Sequence, residues 1–252
     1  MIQVAVHGAE GRMGLLLAEL VASAQDCNLC GLITEDGQEQ TPGAFHPTLP
    51  LTEQSQMADS LPDGCVIIDF SLAPALNGLL DQAKKLHAAL VVGTTGFNEA
   101  QEELLAGFAR KQAVVRAPNF SIGIPALQML LQLLAKTLPS GFDPEQVETH
   151  HVTKLDRPSG TAARLGAAYQ EIRGGNPVPT HSLRQGGIIG EHTWKFSDQE
   201  ETLVITHRAH SRKAFLRGVL PAVRFVAGRE PGLYDLGDVL ENMGGQQVDP
   251  AG

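Results

Sequence analysis

Residues 148–161 read ETHHVTKLDRPSGT. His150, His151, Lys154 and Arg157 put two imidazoles, an ammonium and a guanidinium within eight residues. An imidazole titrates near neutrality and suits proton transfer. His151 and Lys154 can supply positive charge to one anion. Ser159 is a natural helix N-cap, so the N–H groups of Gly160 and Thr161 fall in a first helical turn and can bind a carboxylate. In a strand, His150 and His151 point to opposite faces and must do different work. Each piece also has an ordinary reading, since a His pair can cap loops and Ser-Gly-Thr can cap a helix.

A second stretch, VAVHGAEGRMG at residues 4–14, suits a different ligand. A short apolar strand ends at His7, Gly8-x-x-Gly11-x-x-Gly14 follows, and helical spacing begins. Gly8 permits a tight turn, Gly11 lets the backbone approach a pyrophosphate, and the helix start supplies free N–H groups. The alternative is a structural glycine turn. The next strand ends in Thr34-Glu35-Asp36, about 20 residues past the loop, where an acid can accept both ribose hydroxyls. A 2′-phosphate would meet two negative charges and no adjacent Arg, so NADH is expected over NADPH. A solvated acidic turn is the alternative. Ser71, the run Gly93-Thr94-Thr95-Gly96, and Asn119 follow three other apolar strands. In a parallel sheet such ends collect along one ligand-binding edge.

The elements that must position these groups change character along the chain. Strands are expected at residues 2–6, 29–33, 66–70, 90–92 and 113–115. Helices are expected at 12–23, 73–86 and 99–110. This alternation argues for a parallel sheet covered on both faces. Residues 35–65 read as an irregular surface excursion. From about residue 121 the pattern becomes α+β. Helices are expected at 124–137, 160–172 and 212–226, and strands at 147–151, 188–196 and 201–207, the last two joined by SDQE. Residues 173–187 read as a Gly/Pro-rich connector. Arg184 and the strand ends around His192, His207 and Arg212 look structural.

Composition bounds the partners. Nineteen basic against 28 acidic side chains leave a net charge of −9 in 252 residues, so no nucleic-acid footprint is present. An anionic substrate must be drawn by a local cluster, against the field of the whole molecule. The start MIQVAVHG lacks the pattern of a secretory signal. The longest uncharged run, 117–135, is interrupted by proline, asparagine and glutamine and reads as a buried amphipathic helix, not a membrane span. Three cysteines fit a reducing cytoplasm. Cys27 and Cys30 form a C-x-x-C at a strand entry, where positions three apart face opposite sides. No ligand set completes a zinc site, and no G-x-S-x-G elbow supports a serine hydrolase. The rival readings are a non-catalytic NAD(H) sensor and a different dehydrogenase of the same architecture.

The motifs, in this order, resemble the 4-hydroxy-tetrahydrodipicolinate reductase (dihydrodipicolinate reductase) family of lysine and diaminopimelate synthesis. The matching stretches are VAVHGAEGRMG, VIIDFS, VVGTTGF, APNFSIG, ETHHVTKLDRPSGTA, RQGGIIGEH, ITHRAHSR and GLYDLGDVL, between residues 4 and 240. The resemblance implies an α/β chain. Its Rossmann-like parallel-sheet cofactor domain would span residues 1–121, with 221–252 folding back. An α+β substrate-binding and tetramerisation domain with a mixed or antiparallel sheet would span 122–220. It implies a cytoplasmic homotetramer that reduces a small cyclic imine dicarboxylate with NADH or NADPH. His150 matches the proton donor/acceptor and Lys154 the second donor. His151, Ser159, Gly160 and Thr161 match substrate-carboxylate positions. Cofactor positions fall on Gly8, Ala9, Glu10, Gly11, Arg12 and Met13, on Glu35, on Phe70 and Ser71, on Gly93, Thr94 and Thr95, and on Ala117, Pro118, Asn119 and Phe120. Closure about residues near 121 and 220 is expected to precede hydride transfer. This chain departs from the pattern at Val152 and Thr153, where relatives carry more basic character. It also departs at Asp36, and in a short 173–187 connector that would trim the substrate-domain lid.

Overall fold

The computed structural model describes residues 1–36, 49 and 51–247. The chain forms two compact units, one from Met1–Phe120 and the chain from Phe215 on, the other from Ser121–Ala214.

The first unit begins β1 (Ile2–His7), α1 (Arg12–Ala22), β2 (Cys27–Thr34), β3 (Leu51–Glu53), α2 (Met57–Ser60), β4 (Val66–Asp69), α3 (Leu76–Lys85), β5 (Ala89–Val92), α4 (Glu99–Ala109) and β6 (Ala113–Arg116). The second unit contributes α5 (Gly123–Thr137), β7 (Asp143–His150), α6 (Gly160–Arg173), β8 (Thr180–Arg184), β9 (Gly190–Ser197) and β10 (Thr202–Ala209). The chain then returns as α7 (Val219–Val226), β11 (Gly232–Tyr234) and α8 (Leu236–Gln247).

The first sheet has seven parallel strands in the order β11-β6-β5-β4-β1-β2-β3. All four residues of β4 are buried, as the unbroken run VIID requires of a strand covered on both faces. One face packs Leu17 and Val21 of α1 and Val219, Val223 and Val226 of α7. The other packs Leu76, Leu79, Leu80 and Ala83 of α3 with Leu105 and Phe108 of α4. Spacings of three and four residues place each set on one helical stripe. The α4 start carries a capping box, in which Asn98 accepts from the Gln101 N–H and Gln101 accepts from the Asn98 N–H. Cys27 joins the first core face and Cys30 packs on the second, and both cysteines are free.

The second sheet is mixed, in the order β10-β9-β7-β8, with only β7 and β8 parallel. Leu127 and Leu131 of α5, Leu165 and Tyr169 of α6, and Trp194 and Phe196 of β9 form its core.

The structure corrects the expected elements at four places. Residues 51–65 are not an irregular excursion. They hold β3, a 3-10 turn and α2, with Met57 fully buried. Their glutamine-rich composition misleads because Gln54 and Gln82 are internal. Gln54 donates to the Ala75 carbonyl at 2.7 Å, and Gln82 accepts from the Ala58 N–H at 3.1 Å and donates to the Ser55 carbonyl at 2.9 Å. Residues 37–48 and 50 of that stretch lie outside the described residues. The 173–187 connector contains β8, held by backbone pairing to β7 and lacking the apolar alternation that marks a strand. The helix expected at 212–226 is a 3-10 turn over Arg212–Leu216 followed by α7. The break falls at Gly218, whose N–H reaches the Phe120 carbonyl at 2.8 Å. A Cβ there would lie 2.8 Å from that same oxygen. Finally, β11 and α8 add a seventh strand and a last helix that no periodicity announced.

Among the described residues, no helix is long and apolar enough to cross a membrane.

Candidate active site

In the first unit the glycine loop joins β1 to α1 at the carboxyl edge of the sheet. Gly8 has φ +76°, and a Cβ there would sit 2.6 Å from the Phe70 carbonyl. A Cβ on Gly14 would sit 2.1 Å from the Gly8 carbonyl. The loop is held by N–H groups of Gly8 and Ala9 donating to the Ile33 carbonyl at 3.0 Å, and of Gly11 donating to the Gly8 carbonyl at 3.1 Å. Helix α1 starts at Arg12 with no side-chain cap and no acid in its first turn. Its first N–H groups, through Met13, have no intrahelical partner. A cradle that admits no Cβ and ends on an uncapped helix start fits a dinucleotide pyrophosphate.

Around this cradle the other expected cofactor positions separate. Glu35 is half-buried and Asp36 exposed. Asp36 accepts the Ser55 N–H at 2.9 Å, which fixes its carboxylate beside the end of β2. Ala9 is buried, and Glu10 is half-buried with its Oε2 enclosed and lacking a hydrogen-bond partner. Ser71 donates its hydroxyl to Asp69 at 2.6 Å, so that oxygen braces the turn after β4. Gly93 is required by Phe70, whose ring would lie 2.3 Å from a Cβ there. Phe70 in turn packs on Phe120 with centroids 5.8 Å apart. Thr94 and Ala117 are buried, whereas Thr95 and Pro118 are exposed and Asn119 is half-buried. Phe120 is fully buried. Its N–H and carbonyl are committed to Phe215 and Gly218, so it backs the edge from the core.

One pair at this edge was not anticipated. His7 and Asp69 lie opposite each other on β1 and β4 and are both buried, with Nδ1 to Oδ1 at 2.8 Å. Burial pushes the Asp69 carboxyl up. The hydrogen bonds and charge from His7, with the Ser71 hydroxyl, outweigh it and hold the group below its ordinary value. The pair ties the strand before the glycine loop to the strand before Ser71.

In the second unit, His150 is the last residue of β7, and its ring is buried. Glu148 lies two residues earlier on the same face and accepts from His150 Nδ1. Burial raises the Glu148 carboxyl. Arg184, Ser182 and His150 hydrogen bonds overcome this, leaving it below the usual range. Burial lowers His150, and the Glu148 contact opposes that only in part. His192 sits across from Glu148 on β9 and packs edge-on to His150 with ring centroids 5.4 Å apart. Burial, reinforced by the neighbouring His150, pushes it down to about 3, so it is neutral. His207 lies across from His192 on β10 and shares a hydrogen bond with Ser121 at 3.2 Å.

The expected substrate residues gather beyond β7. His151 diverges from His150 and is half-buried, its Nδ1 bonded to the Thr153 hydroxyl at 2.7 Å. Thr153, one of the departures from the family pattern, therefore orients a candidate ligand. Lys154 meets Asp156 at 2.8 Å. The Lys154 ammonium, with backbone N–H groups including that of Gly160, holds the Asp156 carboxyl below its ordinary value. Ser159 caps α6 by accepting the Ala162 N–H at 3.2 Å, and it is buried. Its hydroxyl is thus occupied in building the helix start, while Gly160 is exposed and Thr161 half-exposed. Arg157 donates to the Ser182 carbonyl at 3.1 Å.

Two residues that sequence reasoning missed complete the cluster. Glu148 was legible, since strand alternation puts it on the face of His150. Arg184, read as structural at the entry to a strand, instead ends β8 and forms a buried ion pair with Glu148 at 2.9 Å. Nothing in its neighbourhood announced this, because the contact needs the parallel β7–β8 pairing.

A seven-stranded Rossmann-like unit and a separate α+β unit with a buried imidazole–carboxylate–guanidinium cluster define a two-part NAD(P)-binding oxidoreductase. The family model for the N-terminus of dihydrodipicolinate reductase matches residues 2–120, and the model for its C-terminus matches 123–240. The chain belongs to the dihydrodipicolinate reductase family. It is 35% identical over 262 residues to the 4-hydroxy-tetrahydrodipicolinate reductase of Nitrosomonas europaea, covering 95% of this chain and 98% of that protein. It is 36% identical over 264 residues to the Hahella chejuensis protein of the same name, covering 95% and 99%. Among solved structures it is similar to the dipicolinate-bound dihydrodipicolinate reductase from Paenisporosarcina sp. TG-14. There the TM-score is 0.77 at 25% identity, over 94% of this chain and 99% of that one.

Proposed function

We propose that this protein reduces 4-hydroxy-tetrahydrodipicolinate to tetrahydrodipicolinate at the expense of NADH or NADPH, the reductive step of lysine and diaminopimelate synthesis. The observation that carries the reading is the cluster His150, Lys154 and the α6 start on one short stretch of chain, in a family whose named members are this reductase. Dipicolinate, bound by the Paenisporosarcina relative, is a ring dicarboxylate of the charge that such a cluster suits.

The first unit holds the dinucleotide. The Gly8–Met13 loop takes the pyrophosphate, on the N–H groups of Arg12 and Met13 at the uncapped start of α1, and Glu35 takes the adenosine ribose. The edge made by Phe70, Ser71, Gly93 to Thr95 and Ala117 to Asn119 takes the nicotinamide end. When bound, the reduced nicotinamide supplies hydride. Glu35 and the fixed carboxylate of Asp36 favour NADH over NADPH, because both would repel a 2′-phosphate.

The second unit, Ser121–Ala214, holds the substrate. One carboxylate displaces Asp156 from the Gly160 N–H and rests at Gly160 and Thr161 on the start of α6, with His151 beside it. Lys154 exchanges Asp156 for the substrate, where its charge offsets the negative charge that develops on reduction. His150 supplies the proton through Nε2, since Nδ1 faces Glu148. The edge strand β10, with Leu203 and Val204 exposed, supports a homotetramer built through this sheet, and the free cysteines fit a cytoplasmic setting.

The test is loss of the near-ultraviolet absorbance of reduced nicotinamide. Substrate is generated in situ from pyruvate and aspartate semialdehyde by the preceding synthase, with NADH and NADPH run in parallel. Substrate-dependent oxidation is expected, faster with NADH at low cofactor. Cofactor binding without turnover would overturn the reading in favour of a sensor. Light scattering that finds a monomer would remove the tetramer.

A further inference from the structure

Glu148 is fully buried and, besides its Ser182 hydrogen bond, has three separate donors. One oxygen accepts from His150 Nδ1. The other accepts from Arg184 at 2.9 Å and from the Ser159 N–H at 3.3 Å. Arg184, with a side chain only 3% exposed, also donates to the Lys154 carbonyl at 3.2 Å and to the Asp156 carbonyl. One buried ion pair therefore touches the end of the proton-donor strand, the lysine loop and the start of α6. A bare carboxylate in such a place would cost several kcal/mol, and Arg184 is the cation that offsets it. An ionised carboxylate can only accept, so the hydrogen on His150 resides on Nδ1 and Nε2 is the working nitrogen. Gly190 keeps that nitrogen clear, since a Cβ there would lie 3.1 Å from His150 Nε2.

We propose that Glu148 and Arg184 are a positioning pair for the reductase. Glu148 locks the tautomer and direction of His150, and Arg184 ties the same carboxylate to the Lys154–Ser159 loop, so proton donor and anion site move as one body. The catalytic part rests on the proposed reaction, while the tautomer and the link stand without it. The charged and titratable groups facing His150 are Glu148 on its own strand, Arg184 from β8, neutral His192 from β9 and Lys154 from the following loop. Protonated His150 carries hydrogens on both nitrogens. It gives the Nε2 proton to the substrate, keeps the Nδ1 hydrogen on Glu148, and regains its proton from solvent. Glu148 accepts no proton in the cycle.

The experiment is nitrogen-15 NMR of the imidazoles in the full-length protein without substrate, assigned by loss of the His150 signals in His150→Gln. The wild-type protein is expected to show His150 in the Nδ1–H form. Glu148→Gln keeps the shape and removes the charge. It is expected to mix the tautomers and lower the His150 midpoint by about one pH unit. In turnover, kcat is expected to fall about 10- to 100-fold. Its alkaline limb should move to lower pH by the same amount as the midpoint, with NADH affinity unchanged. Glu148→Asp should recover part of the tautomer preference. Arg184→Lys leaves the Glu148 carboxylate on His150 and should keep the Nδ1–H form; if Glu148→Gln fails to fold, Glu148→Asp, whose shorter carboxylate reaches Nδ1 less closely, gives the tautomer reading. An unchanged tautomer and midpoint in Glu148→Gln, or in Glu148→Asp where that protein is the one available, overturns the positioning pair whatever the activity. The expected NMR result in a protein without reductase turnover overturns the proposed reaction and leaves the pair standing.

Discussion

The first unit's loop is made of backbone. Gly8 and Gly14 leave no space for a Cβ, the turn is closed by carbonyls of Gly8 and Ile33, and the helix that follows offers uncapped N–H groups. The second unit's cluster is made of side chains from three strands and a loop, brought together by a buried ion pair between Glu148 and Arg184. The first arrangement takes its glycines and free N–H groups from residues 7 to 14 of one continuous stretch, braced by the Ile33 and Phe70 carbonyls. The second needs residues 148, 184 and 192 in register across β7, β8 and β9. A backbone cradle suits a ligand recognised by shape and by a diphosphate common to many dinucleotides. A side-chain cluster suits proton transfer, which needs groups whose charge can change.

The contrast can be broken by substitution on either side. The largest effect is expected from Lys154→Ala, which should lower kcat by about 100- to 1000-fold. Calorimetric affinity for NADH should stay within a factor of about two, because the ammonium belongs to the second unit. Wild-type-like turnover would remove Lys154 from the chemistry. The converse is Gly14→Ala. Overpacking against the Gly8 carbonyl should cost about 1–3 kcal/mol in the cradle, read as weaker NADH binding by about 10- to 100-fold. His150 NMR signals should be unchanged.

His192 sharpens the comparison through pH. Its folded value of about 3 lies below the unfolded value of about 6.5. The unfolded chain therefore binds the extra proton first. Stability from the neutral ring is complete above pH ~6.5 and falls by about 1.4 kcal/mol per unit down to pH ~3. Across that window the denaturant midpoint of the wild-type protein should fall relative to that of His192→Phe as pH falls. Parallel curves would mean that the ring is not held neutral by burial. The smallest expected effect is that of Glu35→Ala. It should weaken NADH by about 1 kcal/mol, the worth of an exposed hydrogen-bonding group, and weaken NADPH less. Equal losses would take Glu35 off the ribose.

Much of this is legible in the amino-acid sequence. VIID announces a strand buried on both faces, and α1, α4, α5 and α6 follow their stripes to within a residue or two. The HHxxKxDxPSGT motif ends on the helix start that Ser159 caps. The elements that escape such reading share a cause. β8, reading THSLR, has no alternation because backbone pairing to β7 holds it. The 51–65 region looks polar, yet its Gln54 is buried on the Ala75 carbonyl, and Gln82 of α3 satisfies its Ser55 carbonyl. The helix expected at 212–226 breaks at Gly218 only because the Phe120 carbonyl lies against it.

The sequence by itself determined the parallel first sheet, the glycine turn, the capped α6 and the divergence of His150 from His151. Each follows from local geometry: a period of two or 3.6, a missing Cβ, or a side chain reaching its own backbone. Only the tertiary structure decided that His7 meets Asp69, that Asp36 is pinned by the Ser55 N–H, and that Arg184 lies beneath Glu148. Those contacts join residues 19 to 62 positions apart. Strand pairing also sets two charge states: burial keeps His192 neutral, and the Arg184, Ser182 and His150 hydrogen bonds keep Glu148 ionised against its burial.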